Sequence, residues 1–116
     1  MSSVLDIKIS KDGGITIIAL NGSVDASTQD TLQSKVFETI NKDANKIIID
    51  LSGVTYLGSA GLRGFHAISN KLKEDAISGK MNLLNPSEAA AKIMKTLGFD
   101  SFFDIYNDLD KAKKAF

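Results

Sequence analysis

The run Ile47-Ile48-Ile49-Asp50-Leu51 constrains this chain more than any other segment. A strand with one wet face alternates apolar and polar residues, whereas a continuous β-branched run needs cover on both faces. The segments on either side supply it. Leu32, Val36 and Ile40 fall at i, i+4 and i+8, and Leu62, Phe65, Ile68 and Leu72 follow a 3.6-residue period. A buried strand between two amphipathic helices is the middle of a parallel crossover unit.

Upstream, Leu5, Ile7 and Ile9 alternate with Asp6, Lys8 and Ser10, as in a half-buried strand. Asp12-Gly13-Gly14 tolerates positive φ, and Ile15 to Leu20 resumes a β-branched run, so the two form a hairpin that Asn21-Gly22 closes. Ser27 to Asp30 has the spacing of a capping box, with Asp in place of Glu or Gln. Downstream, Met81, Leu83 and Leu84 predict a fourth strand. Asn85-Pro86-Ser87-Glu88 predicts a helix start with Asn85 as N-cap and Pro86 at the first helical position. Ala90, Ile93, Met94 and Leu97 form its apolar face, and Gly98 is a natural stop. Phe102 to Tyr106 predicts a fifth strand, and Asn107 to Phe116 a last helix with Leu109 and Ala112 inward. The order is β-β-α-β-α-β-α-β-α: an α/β fold with a mixed sheet and about four helices mainly over one face.

Composition fits one such unit. Of 116 residues 43% are hydrophobic, about fifty side chains, enough for one core and too few for two. We therefore expect a single domain over residues 1–116. The start, Met1-Ser2-Ser3-Val4, lacks the basic and apolar regions of a secretory leader, and the chain has no apolar run long enough to span a bilayer. With no Cys, disulfides and thiolate metal sites are excluded, and a cytoplasmic protein is expected. Fourteen basic residues balance fourteen acidic ones, without the concentrated stripe that nucleic acid demands. Lys111-Ala112-Lys113-Lys114 suits a solvated helix C-terminus.

Enzymatic motifs fail on inspection. Gly53 to Gly58 has the spacing of a phosphate-cradling loop, but Ser59 stands where its Lys belongs. Gly58-Ser59-Ala60-Gly61 resembles a nucleophile elbow, but Leu57 occupies the first Gly position. The single imidazole, His66, follows Ser59 by seven residues, a helical rise of about 10.5 Å, against the ~3 Å a general base must reach. It reads as a helix-surface residue. One His and no Cys leave no transition-metal set. No cofactor is expected.

What remains is the segment from Asp50 to Leu62, in which a strand ends, a polar turn follows, and Gly58, Ser59, Ala60 and Gly61 open a helix. Unpaired N–H groups and a positive dipole at such an entrance accommodate a phosphate. The small residues leave room for another chain. Ser59 as a plain N-cap in a tight turn accounts for the same pattern.

This segment resembles the anti-sigma factor antagonist family, the STAS domains. So do Gly22-Ser23-Val24-Asp25, Asp50-Leu51-Ser52, Ser59-Ala60-Gly61-Leu62, Asn85-Pro86-Ser87 and the stretch from Gly98 to Ile105. The resemblance implies a STAS-like domain that binds proteins rather than an enzyme. By that resemblance Ser59 is the phosphoacceptor of an anti-sigma factor with serine kinase activity, and a cognate phosphatase is a further partner. Unphosphorylated, such a protein sequesters its anti-sigma factor and frees a sigma factor for transcription, without touching nucleic acid or membrane. The partner-binding surface would comprise Asp25, Gly58, Ser59, Ala60, Gly61 and Leu62. Asp25 reads equally as a turn or helix-cap carboxylate. The family often has Asp or Ser where this chain has Gly58, and Ser or Thr where it has Ala60, which leaves Ser59 as the only acceptor in the motif. The other function open to such a chain is an interaction subunit of a transport or signalling complex without phosphorylation.

Overall fold

The computed structural model describes residues 4–116; Met1 to Ser3, read above for a leader, lie outside the described residues. Five strands form one sheet in the order β1-β2-β3-β4-β5. They are β1 (Leu5–Asp12), β2 (Ile15–Val24), β3 (Lys46–Leu57), β4 (Lys80–Leu84) and β5 (Asp104–Tyr106). The helices α1 (Gln29–Thr39), α2 (Ser59–Leu72), α3 (Glu88–Thr96) and α4 (Leu109–Lys114) alternate with them as expected, and a short 3-10 turn spans Phe99–Ser101. β1 and β2 pair antiparallel, and every later pairing is parallel. Gly13 and Gly14, at φ +55° and +86°, make the two-residue turn of the hairpin, a conformation side chains resist.

β3 lies at the centre, which explains its composition. Ile47, Ile49 and Leu51 join Ile18, Leu20 and Leu83 under α1, α2 and α3, which contribute Leu32, Phe65 and Met94 among others. Ile48 faces the opposite way, with Ile15, Leu84 and Ala112 of α4. Three helices thus cover one face and one covers the other. The expected topology holds, and among the described residues no helix is long and apolar enough to cross a membrane.

Several boundaries differ from expectation because long-range bonds override local signals. β2 does not close at Asn21-Gly22. It runs on to Val24, with register shifts around Ala19/Asn21 and Gly22/Ser23, paired to a β3 that continues through the supposed polar turn to Leu57. The first helix is capped at Thr28 rather than by a box from Ser27, and Thr28 Oγ1 donates instead to Ser23 O at 2.8 Å. Asn85 is not the cap of α3. It turns left-handed at φ +50° and donates its N–H to Tyr106 O at 2.6 Å. Ser87 is the cap, its Oγ accepting from Ala90 N–H at 3.2 Å. The same hydroxyl donates to Val54 O at 2.6 Å, which pins α3 to the extension of β3. The fifth strand begins at Asp104, since Phe102 and Phe103 belong to the preceding turn.

Two inward expectations also change, the first at Leu97, which is the C-cap of α3 and 44% exposed. The second is Leu109, 39% exposed, because Tyr106 and Phe116 fill the apolar space beside Ala112. Asn82, fully buried in β4, donates to Ala112 O at 2.9 Å and so fastens α4. Asp12 holds the same helix through Lys113 at 2.9 Å, and that hydrogen bond keeps the ammonium above its ordinary pKa. His66 is not a free surface residue. Its ring packs against Phe99, Phe103 and Phe102, with centroids 4.9, 4.8 and 5.5 Å away.

Candidate functional site at the entrance of α2

The candidate residues meet where β2 and β3 end together. Gly58 N–H donates to Val24 O at 2.8 Å, so the chain leaving β3 is tied to the chain leaving β2. Gly58 is the extended N-cap of α2, at φ −97° and ψ 170°, and Ser59 is the first helical residue. Ser59 is therefore not the cap that a purely structural reading made it. It stands exposed at the first turn. Beside it the N–H groups of Ser59, Ala60 and Gly61 precede the first intrahelical bond, Leu62 N–H to Gly58 O at 3.2 Å.

Charge around this entrance differs from that at the other helices. The first turns of α1, α3 and α4 carry Asp30, Glu88 and Asp110, and the first turn of α2 carries no acidic side chain. An added phosphate would meet the positive end of the dipole without a neighbouring carboxylate in that turn.

The facing loop is knitted to itself. Asp25 Oδ1 accepts from Ser27 N–H at 2.9 Å and from Ser27 Oγ–H at 2.7 Å. Asp25 N–H donates to Thr28 Oγ1 at 3.0 Å, and Asp25 O accepts from Gln29 N–H at 2.9 Å. The carboxylate thus organises the turn into α1 while remaining half-exposed beside the α2 entrance. This is the turn reading of Asp25, and the cap residue itself is Thr28.

Gly61 and Leu62 serve the seat of the helix. Leu62 is fully buried in the main core. A Cβ on Gly61 would lie 2.5 Å from Val24 Cγ1 and 2.9 Å from Val24 O, so only glycine lets α2 descend this close to β2. The room left by that glycine is filled from within the chain. Gly64 repeats the device one turn on, where a Cβ would come 3.0 Å from Gln29 Cγ. Sequence reasoning missed Gly64, although its three-residue spacing from Gly61 was the available signal. It also missed Tyr56, which is 56% exposed. With Leu57, Ala89, Lys92, Ile93 and Thr96, Tyr56 lines a groove of about 400 Å³ between the end of β3 and α3, adjoining Gly58. His66 packs in its aromatic cluster, and among the described residues no group of three or more His, Asp or Glu side chains gathers to hold a metal.

Known proteins share this fold. A crystal structure of an anti-sigma factor antagonist from Mycobacterium paratuberculosis superposes with a TM-score of 0.83 at 25% identity, covering 97% of this chain and 93% of that one. The anti-sigma-F factor antagonist RsfB of Mycobacterium tuberculosis is 24% identical over 108 residues, which span 93% of this chain and 86% of RsfB. The phosphorylated form of the Bacillus cell fate determinant SpoIIAA shares the fold, with a TM-score of 0.70 at 19% identity over 95% of this chain and 98% of that one. Residues 6–112 match the STAS domain itself. With that match reaching from β1 into α4 and including the entrance of α2, the chain belongs to the STAS domain family.

Proposed function

We propose that this chain is an anti-sigma factor antagonist, working in the cytoplasm as one domain over residues 1–116. In its unphosphorylated form it binds an anti-sigma factor that is also a serine kinase, and so releases a sigma factor. Ser59 is the switch. The observation that carries this reading is an exposed Ser59 at a helix entrance without acidic neighbours in its turn, within a fold whose named relatives are antagonists. The partner meets Asp25, Gly58, Ser59 and Ala60, while Gly61 and Leu62 support that surface from beneath.

Phosphorylation adds about −1.5 to −2 charges and three acceptor oxygens at one point. The helix entrance tolerates that charge, so the domain keeps its fold. At a close interface the same group must be desolvated and repels any facing carboxylate. A loss of ~3 kcal/mol in binding lowers affinity more than a hundredfold. Local charge is enough for an on/off contact, and a cognate phosphatase would reset it.

The test is incubation with the cognate kinase and ATP, followed by phosphate mapping by mass spectrometry. Phosphate on Ser59, its loss in Ser59→Ala and retained binding by that variant are expected. Phosphate elsewhere, or undiminished binding after modification, would favour the unswitched interaction subunit.

A further inference from the structure

The outer edge of the sheet is self-complementary. β1 is an edge strand, paired only through β2 among the described residues. Ser23 N–H donates to Val4 O at 3.0 Å, and Val4 stands opposite Ser23 in the register that sets Leu5 against Gly22. Hydrogen-bonded pairs alternate along an antiparallel ladder, so Asp6, Lys8 and Ser10 turn their main-chain groups toward β2. Leu5, Ile7 and Ile9 turn theirs outward.

A second β1 laid antiparallel with Ile7 opposite Ile7 meets those outward groups in phase. Leu5 then opposes Ile9 twice, and roughly six main-chain hydrogen bonds form across the three pairs. On the face of α1 to α3 this brings together Leu5 and Ile7, half-buried, and Ile9, 40% exposed. On the other face Asp6 lies opposite Lys8 twice. These are non-hydrogen-bonded positions, where side chains approach most closely. Within the chain Asp6 and Lys8 stand opposite Asn21 and Ala19, so neither charge is matched on β2. The register centred on Ile9 has the same hydrogen-bond phase but sets Asp6 against Asp12. Charge therefore selects the Ile7 register.

We propose that β1 is a homodimerisation edge, on which a second copy of this chain pairs antiparallel about Ile7 to continue the sheet. A two-fold axis at Ile7 makes the interface isologous and closed, which limits the assembly to a dimer. It lies on the strand farthest from β5 and uses none of Asp25, Gly58, Ser59 or Ala60. Its failure would leave the antagonist reading untouched.

The test is sedimentation velocity of the full chain over a wide concentration range, with amide exchange measured at both ends of that range. A monomer–dimer equilibrium is expected, and the Leu5, Ile7 and Ile9 amides gain protection with concentration while Asp6 and Lys8 are protected throughout. Lys8→Asp places like charges opposite each other and should weaken dimerisation by about tenfold or more. The doubly swapped Asp6→Lys, Lys8→Asp variant restores the pairs and should recover it. A monomer at every concentration would overturn the proposal. So would a dimer without protection at Leu5, Ile7 and Ile9, or a double variant no better than the single one.

Discussion

α2 and α3 each begin shortly after the end of a parallel strand, and their entrances are finished in opposite ways. α3 is closed. Ser87 caps it, Glu88 sits in its first turn, and the cap hydroxyl is bonded to Val54 O. α2 is left open, with Gly58 at the cap position, an exposed Ser59 next and no acid in the first turn. The closed entrance spends its polar groups on the fold. The open one has no side-chain cap, and it is held instead by Leu62, Gly61 and the Gly58–Val24 bond. A charge added at Ser59 would therefore leave undisturbed the groups that hold the helix down.

The largest expected effect comes from breaking that seat. Leu62→Ala should lose about 2–5 kcal/mol of stability through the cavity it leaves, read as a lower urea midpoint. Gly61→Val should cost about 1–3 kcal/mol by overpacking against Val24. In thermal melts it should depress the midpoint well below that of Ser59→Ala. If Gly61→Val melts like the parent, α2 is not seated through that contact.

Smaller effects sharpen the contrast between the entrances. Ser87→Ala removes a cap and should cost about 1 kcal/mol, whereas Ser59→Ala should stay within about 0.5 kcal/mol of the parent. Equal losses in the two variants, compared by chemical denaturation, would erase the distinction. Gly58→Asp supplies the missing cap acceptor, and a gain of only a few tenths of a kcal/mol is expected.

This contrast also marks how far the sequence could be read. The order of elements was legible because Ile47 to Leu51 and the helical periods are local records of burial. Two of the segments that carried the family resemblance, Val24-Asp25 and Ser59-Ala60, are brought together by the Gly58–Val24 bond. Bonds between distant segments were not legible. The extension of β3 to Leu57 depends on pairing with β2, and the choice of Ser87 over Asn85 depends on Val54 and Tyr106. His66 looked like a surface residue because its aromatic partners lie more than thirty positions downstream. Gly61 was read as room for a partner because the sequence does not show that Val24 already fills it.

On the proposed function, charge at Ser59 controls binding while the fold stays intact. The most direct measurement installs phosphoserine at position 59 chemically and titrates the modified and unmodified chains against the purified anti-sigma partner, with thermal melts in parallel. More than a hundredfold weaker binding with a nearly unchanged melting temperature is expected. Equal affinities, or a weakening matched by unfolding, would contradict it.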